Sequence, residues 1–197
     1  MVEEFRPWDV WEGVPVPPLA LLQRLRTDAM TLGSRWTTVQ RFDQSTLDGV
    51  QVSVLHPLRP DWERQDVRNA DSVVIEMRWG EVSFVFTGDI DRETEAEVVP
   101  LLQPSPLRVL KVPHHGSNTS SSEQFVRAAR PDVAVISLGR SNPFGHPSPL
   151  VLERYERAGS RLFRTDRDGA ITVDTDGRSL EIRTFTGREA RVQASRN

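Results

Sequence analysis

The sequence contains no cysteine, which excludes disulfide bonds, thiolate nucleophiles and cysteine-based zinc sites. No apolar run approaches the roughly 18 residues that cross a bilayer, and residues 1–5 lack the basic and apolar stretches of a secretory signal. Basic residues are not in excess, because the net charge is −3, and this argues against nucleic-acid binding by bulk electrostatics. We therefore expect a soluble chain without a visible signal peptide or transmembrane segment.

The sequence has the length of a single domain and the composition of an ordinary globular protein. Its 197 residues are 37% hydrophobic and 27% charged, which excludes the disordered and fibrous classes. We divide the chain into a Pro/Trp-rich arm with one helix (residues 1–49), a main domain (50–186) and a polar tail (187–197) that we expect to be frayed. Apolar residues at helical spacing place the arm's helix at 19–32.

Residues 80–165 alternate between strands, loops and helices three times. Asp91, Ser120 with Glu123, and Ser148 before Pro149 are typical helix starts. The predicted strands fall at 50–54, 73–78, 81–87, 109–112, 133–138, around 162, at 170–173 and at 180–185, with a hairpin at 79–80 and a long polar loop at 59–69. This alternation predicts a layered α/β domain.

Four side chains that could bind a metal lie in loops that directly follow predicted strands. They are Asp89, the neighbours His114 and His115, and His146. In layered α/β folds such loops open on one edge of the sheet, so we expect these residues to converge. Carboxylate and imidazole suit zinc, manganese or iron, and the adjacent glycines would leave the site open.

Other interpretations of these residues remain open at this point. Asp89 could only cap the following helix, and His146 could only bond loop backbone. His56, before Pro57, is interpreted as structural. Residues 117–122 are typical of a capping turn, although their hydroxyls and the helix-start amides could hold a phosphate. An acyl hydrolase with Ser117 as nucleophile is disfavoured, because no strained elbow sequence surrounds it.

Five stretches occur in an order and spacing that point to one family. They include Thr-Gly-Asp at 87–89, Pro-His-His-Gly at 113–116 and Gly-His-Pro at 145–147, within residues 69–74, 84–90, 110–117, 142–147 and 155–170. Together they resemble the metallo-β-lactamase-like domain of the ComEC family of bacterial competence proteins. The resemblance is tight over residues 50–175 and loose over 5–49.

The resemblance implies a fold, an activity and a setting. The fold would be α/β of the αββα type, a partial metallo-β-lactamase-like fold in which helices pack on a mixed sheet. The activity would be that of a metal-dependent hydrolase, a phosphodiesterase or nuclease with two divalent ions (Zn or Mn), acting on single-stranded DNA during natural transformation. The family's domain is attached to a membrane channel, which implies association with the bacterial inner membrane.

The resemblance also implies roles for individual residues. Asp89 would be a catalytic residue and bridge two metals, and His115 would be a metal ligand. His114 would be a second ligand or a catalytic, phosphate-facing partner, and the two histidines could exchange roles. His146 would be catalytic and face the substrate. The remaining substrate-binding residues would be Lys111, Ser117 and Asn118.

One expected motif is missing from the sequence. The family's His-x-(His or Asp)-x-Asp-His string is absent, and the residues after His56 do not replace it. We therefore expect this chain to be the C-terminal portion of the domain and to be incomplete alone. Its partner would be the missing N-terminal half of the domain or the membrane channel. The alternative is a non-catalytic remnant or interaction module of the same fold, whose exposed sheet edge would favour self-association.

Overall fold

The computed structural model describes residues 2–13, 20–58 and 68–194. Residues 14–19 of the predicted arm, and most of the predicted polar loop at 59–69, lie outside these residues. The N-terminal part contains α1 (Val2–Phe5), β1 (Asp9–Glu12), α2 (Ala20–Thr31) and β2 (Arg35–Thr38), and β1 pairs with β2 in parallel. The helix predicted at 19–32 is thus confirmed, and Gly33, at a φ of 91°, follows its end as predicted.

A mixed sheet of seven strands, arranged in chain order, forms the centre of the protein. Its first four strands run antiparallel and its last four run parallel, with β6 shared between the two halves. The strands are β3 (Gln44–Leu47), β4 (Val50–His56), β5 (Val74–Trp79), β6 (Val82–Phe86), β7 (Leu107–Lys111), β8 (Val133–Ile136) and β9 (Arg161–Arg164). The predicted hairpin at 79–80 is confirmed between β5 and β6.

Three helices make the crossovers that parallel strands require. They are α3 (Arg92–Val98), α4 (Glu123–Ala129) and α5 (Pro149–Arg157), which follow β6, β7 and β8 respectively. Their apolar sides, including Val98, Phe125 and Tyr155, pack with Val85 and Leu110 of the sheet in one buried cluster. The carboxyl ends of β6, β7 and β8 therefore meet at one edge of the sheet.

The other face of the parallel strands is covered by a second, smaller sheet. After α6 (Thr165–Asp168), the strands β10 (Ile171–Thr175), β11 (Ser179–Thr184) and β12 (Glu189–Gln193) pair in antiparallel order. Leu180 and Ile182 of β11 pack with Val109, Val133 and Phe163 of the central sheet. The predicted α/β architecture, a mixed sheet with helices packed on it, is confirmed. Among the described helices, none is long and apolar enough to cross a membrane.

Three local predictions were wrong. The polar tail at 187–197 is not frayed over Glu189–Gln193, because Ala190 and Val192 point to the buried cluster while their neighbours face solvent. The helix cap is Ser122 rather than Ser120, since the Ser122 side chain accepts the Phe125 amide. The helix begun by Asp91 ends at Val98 instead of near 102, and a 3-10 turn (Val99–Leu101) follows.

The arm contributes one strand to the central sheet that was not predicted. Residues 44–47, at the end of the segment assigned to the arm, form the edge strand β3 beside β4. All four of its residues are exposed, so the strand has no hydrophobic alternation to reveal it. Its formation follows from pairing across a tight turn at Asp48 and Gly49, both with positive φ.

Candidate functional site

Asp89 and His115 face each other at the carboxyl edge of the parallel strands. The Oδ2 atom of Asp89 lies 3.4 Å from Nε2 of His115. Asp89 follows β6 through Gly88, whose φ is 56°, and its amide donates to the Ser72 hydroxyl at 3.0 Å. A Cβ atom at Gly88 would lie 2.4 Å from Cβ of Ser72. Glycine is therefore required for this close approach.

Lys111 contacts the other oxygen of the same carboxylate. It is the last residue of β7, and its Nζ donates to Asp89 Oδ1 at 3.2 Å and to the Gly88 carbonyl at 2.8 Å. Burial lowers the pKa of the Lys111 ammonium, while the Asp89 charge acts in the opposite direction. The Asp89 carboxylate thus lies between a cation and an imidazole.

The two neighbouring histidines adopt left-handed backbone conformations. His114 has φ 46° and ψ 43°, and His115 has φ 54° and ψ 21°. Such values are uncommon outside glycine and persist only where the surroundings enforce them. Here the His114 amide donates to the Gly88 carbonyl at 3.2 Å, and the Ser117 amide donates to the His114 carbonyl at 2.9 Å. The turn is thereby tied to the loop that carries Asp89.

The orientation of His115 is set by backbone of the next loop. Its Nδ1 contacts the Ser137 carbonyl, which can only accept, so Nδ1 carries the proton. In the neutral ring this leaves the lone pair on Nε2, the atom that faces Asp89, and this is the form that binds metals. The Leu138 amide belongs to the same peptide unit as the Ser137 carbonyl. The Thr165 hydroxyl fixes this unit, since it accepts from the Leu138 amide at 2.7 Å and donates to the Leu138 carbonyl at 2.8 Å.

His114 belongs to a second group of side chains beside this pair. Its Nε2 lies 3.2 Å from Nδ2 of Asn69, and its ring centroid is 5.9 Å from that of His146 in an edge-on arrangement. Nδ1 of His114 is buried and has no hydrogen-bond partner within the described residues. Burial lowers the pKa of His146, and the nearby His114 and His115 rings lower it further.

The loop that carries His146 is fixed at both ends of the Gly-His-Pro motif. The Asn142 side chain accepts the His146 amide at 3.0 Å and donates to the His146 carbonyl at 2.9 Å. The Ser148 amide donates to the Gly116 carbonyl at 2.8 Å. A Cβ atom at Gly116 would lie 2.7 Å from Cβ of Pro147. The histidine turn and this loop are therefore packed directly together.

The structure thus brings the predicted residues into two adjoining groups, Asp89–Lys111–His115 and His114–His146. Ser117 is buried, and its hydroxyl lies 3.0 Å from that of Thr119. The Asn118 carbonyl accepts from the Arg92 guanidinium. His56 contacts the Ser72 carbonyl through Nδ1 at 3.1 Å, and burial lowers its pKa.

Sequence reasoning assigned no role to several residues that shape the site. They are Asn69, Ser72, Ser137 and Thr165. Asn69 and Ser72 lie in the stretch 69–74, and Thr165 lies in 155–170, so the motifs contained three of these positions. Ser137 acts through its backbone carbonyl, which no side-chain pattern could indicate.

The described residues do not make a complete metal centre. Within 2–13, 20–58 and 68–194, no group of three or more His, Cys, Asp or Glu side chains could hold a metal ion. A catalytic zinc has about three protein ligands and one open position. Asp89 and His115 therefore fit a metal only as two ligands of a larger set, and Lys111 already neutralises one oxygen of the carboxylate.

Comparisons with known proteins match the chain to one family. The model of the metallo-β-lactamase superfamily matches residues 27–140. The chain is 38% identical over 133 residues to "ComE operon protein 3" of Bacillus subtilis, covering 68% of this chain and 17% of that protein. It is 36% identical over 141 residues to "Competence protein ComA" of Neisseria gonorrhoeae (71% and 19%). It is 40% identical over 114 residues to "Recombination protein 2" of Haemophilus influenzae (58% and 14%). The chain spans less than a fifth of each of these relatives.

Proposed function

This chain belongs to the metallo-β-lactamase superfamily, and we propose that it forms part of a metal-dependent hydrolase domain, a phosphodiesterase or nuclease that acts on DNA during natural transformation. A relative named "Competence protein ComA" supports the biological setting. The observation that carries the proposal is the Asp89–His115 pair, with carboxylate and imidazole 3.4 Å apart at the sheet edge.

In this proposal the chain contributes half of a two-metal centre. Asp89 and His115 would be ligands for divalent zinc or manganese, with His114 as the alternative histidine ligand. The remaining ligands would come from a segment with the His-x-(His or Asp)-x-Asp-His string, which this sequence lacks. The isolated chain is then inactive until that segment joins it.

The chain's own residues would prepare the site in three ways. Lys111 holds Oδ1 of Asp89, which orients the carboxylate toward His115. The Ser137 carbonyl keeps the proton of His115 on Nδ1, so that Nε2 is free to bind. His146, held by Asn142, would face the DNA phosphate together with Asn118, which is exposed directly after the histidine turn. Ser117 is buried, with its hydroxyl 3.0 Å from that of Thr119.

We also propose the partners that such a domain would have. They are single-stranded DNA, the missing N-terminal half of the domain, and a membrane channel that would place the domain at the bacterial inner membrane. These proposals rest on the resemblance to the ComEC family, and the relatives are five or more times longer than the matched region.

A second candidate function is a non-catalytic remnant or interaction module. The observation that favours it is the absence, among the described residues, of three ligands that could hold a metal. The two candidates differ in one measurable property, because a half-site retains metal affinity while a remnant does not.

Isothermal titration of the 197-residue chain with zinc and manganese tests the proposal. We expect micromolar binding that is lost in Asp89→Ala and His115→Ala and kept in Asp174→Ala, a matched control at an exposed position of β10. Absence of binding would favour the remnant.

A cleavage assay tests the requirement for the missing segment. We expect no metal-dependent cleavage of single-stranded DNA by the chain alone, and cleavage after addition of a polypeptide with the missing string. Robust cleavage by the chain alone, abolished by Asp89→Ala, would show that the missing string is dispensable.

A further inference from the structure

An exposed aromatic ring adjoins the candidate site. Phe144, the third residue of the stretch 142–147, is 76% exposed. Its ring lies nearly parallel to that of His146, with centroids 5.9 Å apart and an interplanar angle of 20°. The His146 ring in turn meets His114 edge-on. Aromatic surface therefore runs continuously from solvent to the histidine turn.

Hydrogen bonds fix the backbone of this loop before any ligand arrives. Asn142 bonds both the amide and the carbonyl of His146, so the intervening Phe144 is bracketed by a closed set of hydrogen bonds. His146 lies beside the Phe144 ring in an offset, nearly parallel arrangement, and most of the Phe144 side chain remains exposed. Pre-organisation of this kind lowers the entropy lost on binding.

Other exposed phenylalanines lack this arrangement. Phe42 is 74% exposed and Phe185 is 83% exposed, yet in the described part of the chain neither stacks on another ring. Exposure alone is common on protein surfaces. The combination of exposure, a stacked imidazole and contact with the site distinguishes Phe144.

We infer that Phe144 is a stacking platform for an unpaired nucleobase of the substrate strand, an inference that rests on the proposed function. The net charge of −3 provides no bulk electrostatic attraction for DNA, and stacking on the bases supplies affinity that does not depend on net charge. Every base presents a π face, and stacking on aromatic side chains is tolerant of sequence. Bases in a duplex are already stacked and paired, so the platform favours single strands.

Fluorescence anisotropy in the presence of a chelator tests this inference without any metal or cleavage. The probes are a labelled oligothymidylate and an abasic oligomer of equal length, which has the same phosphates but no bases. We expect the chain to bind oligothymidylate at least about fivefold more tightly than the abasic strand. Phe144→Ala should abolish this difference, Phe144→Trp should keep it, and Phe42→Ala, the matched control, should leave it unchanged.

Three results would overturn the inference: equal binding of the two oligomers, unchanged binding by Phe144→Ala, or no binding of oligothymidylate. Thermal unfolding verifies that Phe144→Ala remains folded, as expected for an exposed side chain. Metal titration judges the proposed function separately. Zinc affinity that depends on His115, together with equal binding of both oligomers, would refute the stacking platform and leave the hydrolase proposal standing.

Discussion

Thr165→Val is the substitution that most directly tests how His115 is held. Threonine and valine have nearly the same shape, so the change removes only the hydroxyl. That hydroxyl makes two hydrogen bonds to Leu138, at 2.7 and 2.8 Å. Leu138 is half-buried, so water can only partly replace these bonds. We expect a loss of about 1–3 kcal/mol in the free energy of unfolding, or roughly 2–10 °C in Tm.

The same substitution should weaken metal binding in the proposed function. Loss of the hydroxyl loosens the peptide next to Ser137, whose carbonyl orients His115. Removal of groups that orient a ligand costs about 10- to 100-fold in metal affinity. Thr165→Ser, which keeps the hydroxyl, is the matched control and should retain most of both properties.

Urea denaturation and zinc titration of the two variants provide the measurements. If Thr165→Val unfolds at the wild-type urea concentration and binds zinc with wild-type affinity, the hydroxyl does not hold the loop, and the account of His115 orientation is wrong. Equal damage in both variants would assign the effect to packing instead of hydrogen bonding.

Three further predictions concern groups around the site and in the core. Burial holds the pKa of the His56 imidazole below its ordinary 6.5. The neutral ring therefore contributes stability above pH 6.5, and this contribution is lost as the pH falls through the lower pKa of the folded state. His56→Gln should flatten this decline in stability, measured by thermal unfolding between pH 8 and 5. Arg108→Met removes a partner of the buried Glu76 carboxylate, 3.1 Å away, and should cost about 3 kcal/mol in urea denaturation, recovered in part by adding Glu76→Leu. Gly116→Ala combines a φ of 78° with a Cβ that would lie 2.7 Å from Pro147, so we expect a loss above about 1 kcal/mol and altered His114 resonances in NMR spectra.

The placement of the site could be predicted from sequence because it depends on topology. Asp89, His114 and His146 each follow a short apolar strand and precede a helix, and such alternation produces parallel strands whose carboxyl ends share an edge. The structure confirms that edge and brings Asp89 and His115 within 3.4 Å. The roles of these residues in metal binding and catalysis stay predictions.

The internal geometry of the site could not be predicted, because backbone groups determine it. His115 is oriented by the Ser137 carbonyl, and the Lys111 ammonium donates to the Gly88 carbonyl. Every residue type has a backbone carbonyl, so no side-chain pattern indicates these contacts. Left-handed backbone is usually indicated by glycine, but in this turn His114 and His115 adopt it and the first glycine is Gly116. The edge strand Gln44–Leu47 was missed for a related reason, since pairing rather than hydrophobic alternation maintains it.

The parallel arrangement of β6, β7 and β8 also determines where the chain could lengthen or shorten during evolution. Successive residues of a strand point to opposite faces of the sheet. One residue added within β7 would therefore turn Lys111 away from Asp89 and move every strand side chain after the insertion to the opposite face. Between Gly139 and Asn142, where the loop is exposed, an added residue would shift no strand. Natural length variation in this domain should therefore accumulate at the outer end of that loop and spare the strands beneath it.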